Sequence, residues 1–346
     1  MARPKKKAEE SSKEELADLT LQATLNAIEG RFGKGSIMLA GVNDTSDIQR
    51  ISFGHPDLDD MTGGGVPRGR VTVLIGEPGG GKTSAALYII ANAQKNGERA
   101  AFIDVEHALE PDYAACIGVD IDALLISQPQ SAEQAMDIYD MLVKSGAVGV
   151  VVLDSVAAMS TNAEIEGNMG DQQRGDKARL MSKAMRKLVK PVQSTNTAAI
   201  FINQWRDNAG GYGGGKEMPA GRGLKYASSL ILDFARKETI YKTKGGDKVP
   251  TGQVSIVKSI RSKVSLPFQK CEVEITYPSR EKNGKIIPGL GGFNIYAAII
   301  NHALDSGKII QKGSWYQDSD GNKLAQGKDK MIALLQSDQK LLESIK

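Results

Sequence analysis

The octapeptide GEPGGGKT, Gly76 to Thr83, constrains this sequence more than any other stretch. It closes the apolar run VTVLIG (71–76) and opens a segment with helical character from Lys82 to about Asn96. A strand, a glycine turn ending in Lys-Thr and a helix together form a phosphate loop. The glycines let backbone N–H groups converge at a helix N-terminus, where the helix dipole favours an anion. Lys82 is spaced to reach the β- and γ-phosphates of a nucleotide and Thr83 to hold Mg²⁺. Gly76, Glu77, Pro78, Gly79, Gly80, Gly81 and Ser84 complete the expected cradle. The competing reading is a chance glycine turn. The full pattern in its strand–loop–helix context argues against it.

Short β-rich runs and helical runs alternate beyond this point. AAFIDVE (100–106) precedes helical ALEPDYAACIG, and ALLISQ (123–128) precedes a helix over 131–145. GVVVLDS (149–155) is followed by a loop and a helix over about 176–194, and then by AAIFINQ (198–204). Strands that read as almost continuous apolar runs, alternating with helices, predict a mostly parallel sheet covered on both faces. The fold class is therefore α/β. After Tyr226 the pattern changes to SLILDFAR (229–236), QVSIVKSI (253–260) and CEVEITY (271–277), with glycine-rich turns. These predict meander strands added to the same sheet. From about Phe293 the chain reads as a small mixed α+β unit. Leu21, Leu25 and Ile28 have helical spacing and predict an N-terminal helix over 16–32. Residues 1–15 carry a basic then acidic run and read as a disordered tail. The expected domains are 1–15, 16–50, a core over 51–280 and a C-terminal unit over 281–346.

Composition mainly excludes. With 40% hydrophobic and 25% charged residues the chain suits a soluble globular protein. A net charge of +3 is too mild to establish nucleic-acid binding, so the placement of the charges has to carry any such claim. No apolar run approaches the roughly 20 residues that span a membrane. The N-terminus lacks an apolar core behind its basic residues, which excludes a secretory signal. Cys116 and Cys271 are the only cysteines, so a disulfide framework is not expected and a reducing cytoplasm fits.

Three polar residues end apolar strands, at the edge where open α/β sheets bind ligands. Asp154 ends GVVVLDS and can hold Mg²⁺; its bland reading is a helix cap. Glu106 ends AAFIDVE. Since no Glu follows Asp154, it is the best candidate to orient an attacking water; its bland reading is a surface carboxylate. Gln204 ends AAIFINQ, where an amide can touch a γ-phosphate or simply sit at the edge of the core. The helix over 176–194 is two-faced. Met181, Met185, Leu188 and Val192 form an apolar stripe, while Arg179, Lys183, Arg186, Lys187 and Lys190 crowd the other side. Alone, that is a solvated face. The glycine-rich stretch 203–226 adds Arg206, Lys216, Arg222 and Lys225 in the same region. Loops rich in Gly and Arg can mould to a phosphodiester backbone without reading sequence.

Nearly the whole chain resembles the bacterial RecA recombinases, cellular or phage-encoded. The resemblance is carried by IEGRFGKGSIM (28–38), GEPGGGKT, FIDVEHALEPDYA (102–114), LLISQPQSAEQA (124–135), VVVLDSVAAM (150–159), AEIEGNMGD (163–171), MSKAMRKL (181–188), FINQ (201–204) and GKIIQKGSWY (307–316). It implies a RecA-type core with an N-terminal polymerisation helix and a small C-terminal domain. Lys82 and Thr83 resemble the family's Walker A pair, Asp154 its Walker B aspartate and Glu106 its catalytic glutamate. Gln204 is similar to the glutamine coupling ATP to DNA. Tyr113 resembles the aromatic on adenine, beside Glu110, which stands where the family has aspartate. Segments near 164–176 and 205–222 resemble its two DNA-binding loops, which makes Arg174, Arg179, Arg186, Arg206, Tyr212, Lys216 and Arg222 candidate DNA contacts. Arg261 and Lys263 fall where two family lysines reach the neighbour's ATP.

The implied activity is ATP- and Mg²⁺-dependent filament formation on single-stranded DNA. Pairing and strand exchange with duplex DNA follow, in recombination, repair and the SOS response to DNA damage. The expected partners are single- and double-stranded DNA, further copies of the chain and a LexA-like repressor, in the cytoplasm. Two alternatives stay open: a ring ATPase such as a helicase on the same core, and a non-hydrolysing nucleotide-dependent DNA scaffold. The chain departs from the family at Pro78–Gly81, where relatives carry Glu-Ser-Ser, and at Arg261, where they carry lysine. It also has a glycine-rich second loop, an insertion near 277–292 and no acidic tail before Lys346.

Overall fold

The computed structural model describes residues 4–33, 36–37, 48–168, 175–207, 215–244, 246–279, 286 and 291–345. Its centre is a nine-stranded sheet. In chain order the strands are β1 (Val71–Gly76), β2 (Ala100–Asp104), β3 (Leu125–Ser127), β4 (Val150–Asp154) and β5 (Ala198–Gln204). They continue with β6 (Leu230–Lys244), β7 (Asp247–Ser262), β8 (Lys270–Thr276) and β9 (Gly292–Phe293). In space they run β9-β8-β7-β6-β1-β5-β4-β2-β3. The stretch from β6 to β3 is parallel throughout. Strands β7, β8 and β9 extend it antiparallel, the meander expected from the sequence.

The continuous apolar runs have a direct cause. Alternate residues of a strand face opposite sides, and both sides of this sheet are covered. Val150 and Val152 join one core with Ile90 and Phe102, beneath helix α2 (Lys82–Lys95). Val151 and Leu153 join another with Tyr139 and Met185, beneath α4 (Ala132–Lys144) and α5 (Asp176–Thr195). The short helix α3 (Pro111–Ile117) follows β2. Tyr139 stacks on Phe201 at 4.7 Å between ring centroids and donates its hydroxyl hydrogen to the Val151 carbonyl at 2.9 Å. Helix α4 is capped by the Ser131 hydroxyl, which accepts from the Gln134 N–H.

Helix α1 (Pro4–Phe32) falls in a separate compact unit, residues 1–48. Helical backbone covers the expected 16–32 and reaches back through most of the segment read as a tail. At the C-terminal end, strands β10 (Ile309–Lys312), β11 (Trp315–Asp318) and β12 (Lys323–Gln326) form a small antiparallel sheet. It packs with α7 (Ile295–Asp305), α8 (Lys328–Ser337) and α9 (Gln339–Ile345) around Ile300, Ile309, Tyr316 and Met331. A further helix of the core, α6 (Gly221–Ala227), lies at the end of the glycine-rich stretch. Among the described residues no helix is long and apolar enough to cross a membrane.

Candidate active site

The parallel register brings the polar strand ends together. Gly76 pairs with Gln204 across β1 and β5, and Asp104 with Asp154 across β2 and β4. All four lie on one carboxyl edge, and Glu106 follows two residues after Asp104. The ends of β1, β5, β4 and β2 therefore supply one site.

Lys82 opens α2 and is buried. Its ammonium donates to the carbonyls of Gly76 at 3.0 Å and Glu77 at 2.7 Å. Burial lowers its pKa, against the pull of Asp154 and Glu106. Thr83 donates its hydroxyl hydrogen to Asp154 Oδ2 at 2.7 Å. Burial pushes the Asp154 carboxyl up to about 6, against that hydrogen bond. A hydroxyl and a buried, charge-starved carboxylate are the hard oxygen donors that suit Mg²⁺. Among the described residues no three His, Cys, Asp or Glu are grouped to hold a metal unaided.

Glu106 has two partners on one oxygen. Oε1 accepts from the Gln204 amide at 2.9 Å and from the Ser155 hydroxyl in a shorter contact. Gln204 is thus tied to Glu106 from the first residue before the glycine-rich loop. Behind it, fully buried Asn203 accepts from the Gln204 N–H and donates to the Pro219 carbonyl at 3.2 Å. Asn203 thereby fastens the far end of that loop to β5. The sequence reading named neither Ser155 nor Asn203. A polar residue beside a recognised site residue was the only available signal.

A cavity of about 340 Å³ adjoins the loop. Lys82, Thr83, Ser84, Glu110 and Tyr113 line one wall. Tyr113 and Ser84 share a hydroxyl hydrogen bond of 2.7 Å. The opposite wall was not foreseen: Arg236 comes from β6, Gln253 from β7, Ile275 and Thr276 from β8, and Tyr277 follows β8. Nothing local marks these residues. Only the antiparallel extension places them over the phosphate loop.

The glycine-rich loop has a defined root. Arg206–Asp207 pairs antiparallel with Lys216–Glu217, and α6 follows. Helix α6 lies directly on α5, where a Cβ at Gly223 would stand 2.6 Å from Ser182 Oγ. Exposed Arg222 therefore sits beside the basic face of α5, where Arg179 and Arg186 are exposed opposite the buried Met181, Met185, Leu188 and Val192. Arg179 also bridges Asp176 at 3.2 Å. Arg206 donates to the Ala157 carbonyl at 3.1 Å, and Lys216 bridges Glu77 of the phosphate loop. That bridge holds the Glu77 carboxyl below its ordinary pKa. Arg174, Tyr212 and most of 277–292 lie outside the described residues. Arg261 and Lys263 lie elsewhere. Arg261 pairs with Ile231, whose parallel partner is Val73. The Lys263 N–H donates to Ser229, whose own N–H donates to Val71. Both basic residues thus stand toward the amino edge, away from their own phosphate loop.

Comparison with known proteins settles the family. The RecA N-terminal domain family matches residues 19–280, and the RecA C-terminal domain family matches 297–346. The chain belongs to the RecA family. Protein RecA of Clostridium novyi is 43% identical over 324 residues, 93% of this chain and 88% of that protein. Protein RecA of Kineococcus radiotolerans is 44% identical over 94% of this chain and 89% of its own length. Protein RecA of Thermus aquaticus is 43% identical over 94% of this chain and 92% of its own. RecA proteins are DNA-dependent ATPases of recombination and repair, and this chain shares that activity. RecA membership also carries nucleotide binding, DNA binding and self-polymerisation. A ring helicase or a non-hydrolysing scaffold is not favoured.

Proposed function

We propose that the nucleotide is ATP with Mg²⁺, bound by Lys82, Thr83 and Asp154, and that Gln204 couples its γ-phosphate to the DNA-binding loop. One observation carries the coupling: the Gln204 amide rests on Glu106 at 2.9 Å, and the same residue leads directly into the loop strand Arg206–Asp207. Lys82 holds the terminal phosphates. Mg²⁺, when bound, neutralises charge on the phosphate oxygens. Glu106 accepts a proton from the attacking water, the terminal P–O bond breaks, and ADP and phosphate result. Ser155 keeps the Glu106 carboxylate oriented. A γ-phosphate competes with Glu106 for the Gln204 amide, so binding frees Glu106 and pulls on the loop root.

Arg206, Lys216, Arg222, Arg179 and Arg186 contact DNA phosphates in this reading, with Arg174 and Tyr212. Arg261 and Lys263 serve the neighbouring protomer's ATP, which their placement toward the amino edge supports. The protein acts in the cytoplasm, in keeping with Cys116 and Cys271 standing as thiols rather than as a disulfide. A LexA-like repressor is the further partner this reading implies, testable by co-sedimentation with filaments. The central test is ATP turnover with and without single-stranded DNA, paired with electron microscopy of the DNA with a slowly hydrolysed analogue. Stimulated turnover and helical filaments support the reading; turnover indifferent to DNA overturns it.

A further inference from the structure

The phosphate loop of this chain contains three consecutive glycines, Gly79 to Gly81, which supply no side-chain hydrogen bond to fix its shape. Lys82 ties its first residues, and Gly79 is held from outside. Gln253 of β7, only 2% exposed, donates its amide hydrogen to the Gly79 carbonyl at 2.7 Å. The same amide reaches Ser255 Oγ at 3.0 Å, and its oxygen accepts the Tyr277 hydroxyl hydrogen at 3.0 Å. Arg236 of β6 donates to the same Gly79 carbonyl at 3.3 Å. Gly79 itself has φ +71°, and a Cβ there would stand 2.3 Å from the Arg236 guanidinium. A left-handed turn, bare of side chains, is therefore clasped by a buried amide whose oxygen is fixed by an aromatic hydroxyl from the same cavity wall.

We propose that Gln253 is a positioning residue for ATP: it pre-orders the phosphate loop at Gly79 and joins it to Tyr277, so that the loop and the cavity wall built by β7 and β8 form as one unit. The inference rests on the ATP reading above. A hydrogen bond fixed before the ligand arrives removes an ordering cost from binding. The groups that perform the chemistry, Lys82, Asp154 and Glu106, do not touch Gln253. Its loss therefore falls on affinity rather than on turnover.

The test is steady-state ATP hydrolysis on single-stranded DNA with Gln253→Met, Tyr277→Phe and the double variant of the full chain. Gln253→Met keeps bulk and removes the donor. It should raise KM for ATP about five- to tenfold, the worth of one to two net hydrogen bonds, with kcat lowered less than threefold. Tyr277→Phe should raise KM in the same direction by less. The double variant should exceed Gln253→Met by less than the product of the two effects, since both act through one amide. Gln253→Glu cannot donate to Gly79 and should not restore KM. An unchanged KM in Gln253→Met overturns the proposal, as do independent, multiplicative effects. If Gln253→Met does not fold, a normal KM in Tyr277→Phe overturns it as well. Failure of the parent chain to hydrolyse ATP would instead remove the underlying reading.

Discussion

A single buried carboxylate sets the stability and the ligand response of the site in opposite directions. Asp154 is held up at about 6 because burial disfavours its charge more than Thr83 and Lys82 favour it. The folded state thus binds the proton more tightly than an unfolded chain. Stability contributed by the neutral form is present below about pH 4 and is lost as pH rises toward 6. At neutral pH the fold carries that cost, which a cation bound there, as proposed above, would relieve. Asp154→Asn should stabilise the ligand-free protein at pH 7.5 by about 2 kcal/mol, a shift of order one to two pKa units. It should also abolish Mg²⁺-dependent nucleotide binding. Thermal melts at pH 5 and 7.5, with and without Mg²⁺–ATP, check both. A lower melting temperature for the variant at pH 7.5 without ligand contradicts the burial argument. Glu106→Gln tests the neighbouring role: ATP should bind within about threefold of normal, while turnover falls at least 100-fold, in the range assigned to general-base catalysis. Filaments on DNA should then persist. These residues were legible in the sequence because each ends an apolar run, and a strand end in a parallel sheet is a fixed place. Ser155 and Asn203 were not, since a polar residue beside a site residue is unremarkable until its partner across the sheet is known.

At the scale of elements, the sheet decides what a loop can do. The glycine-rich stretch could be read as a mobile loop, but its root could not: β5 ends in Asn203, which ties down Pro219, and Gly223 presses α6 onto Ser182 of α5. The basic face of α5 and Arg222 are therefore held together by backbone packing. Arg206 at the loop's start donates one guanidinium N–H to Ala157, which leaves its other donors for a phosphate. Arg206→Ala should weaken single-stranded DNA binding about equally across sequences. It should reduce the magnitude of the log–log salt slope by about 0.7 per bound protomer, one phosphate contact on a single strand. Fluorescence anisotropy across a salt series measures it, and an unchanged slope removes Arg206 from the DNA path. The parallel strands were legible from their apolar continuity and the meander from the change of pattern after Tyr226. What periodicity could not convey was that β6, β7 and β8 fold over the phosphate loop. Gln253, Arg236 and Tyr277 are brought to Gly79 by pairings across 174, 157 and about 200 residues, and no local pattern encodes those.

For the whole molecule, the proposed role of Arg261 and Lys263 at the neighbouring protomer's ATP would make an isolated chain an incomplete enzyme. Lys263 stands level with Val71, and Gly76 lies five residues further along the same parallel pair, about 17 Å away at the rise of a strand. Arg70 and Arg261 lie close enough to lower its pKa further, after burial. In that proposal, cations gathered toward the amino edge and a phosphate cradle on the carboxyl edge are two halves of a head-to-tail contact, the kind that generates an open helical polymer. A mixing experiment tests this directly. Lys82→Ala removes the cradle and leaves the amino edge intact; Arg261→Ala with Lys263→Ala does the reverse. Each variant alone should hydrolyse ATP at less than a few per cent of the parental rate. Mixed in equal amounts on single-stranded DNA, random head-to-tail assembly joins an intact cradle to an intact edge at about one contact in four. Turnover should then recover to about a quarter of the parental value, and dilution below the assembly concentration should abolish it. Two cis-acting defects could not complement each other. An inactive mixture that still forms filaments by electron microscopy would therefore place Arg261 and Lys263 outside the shared site.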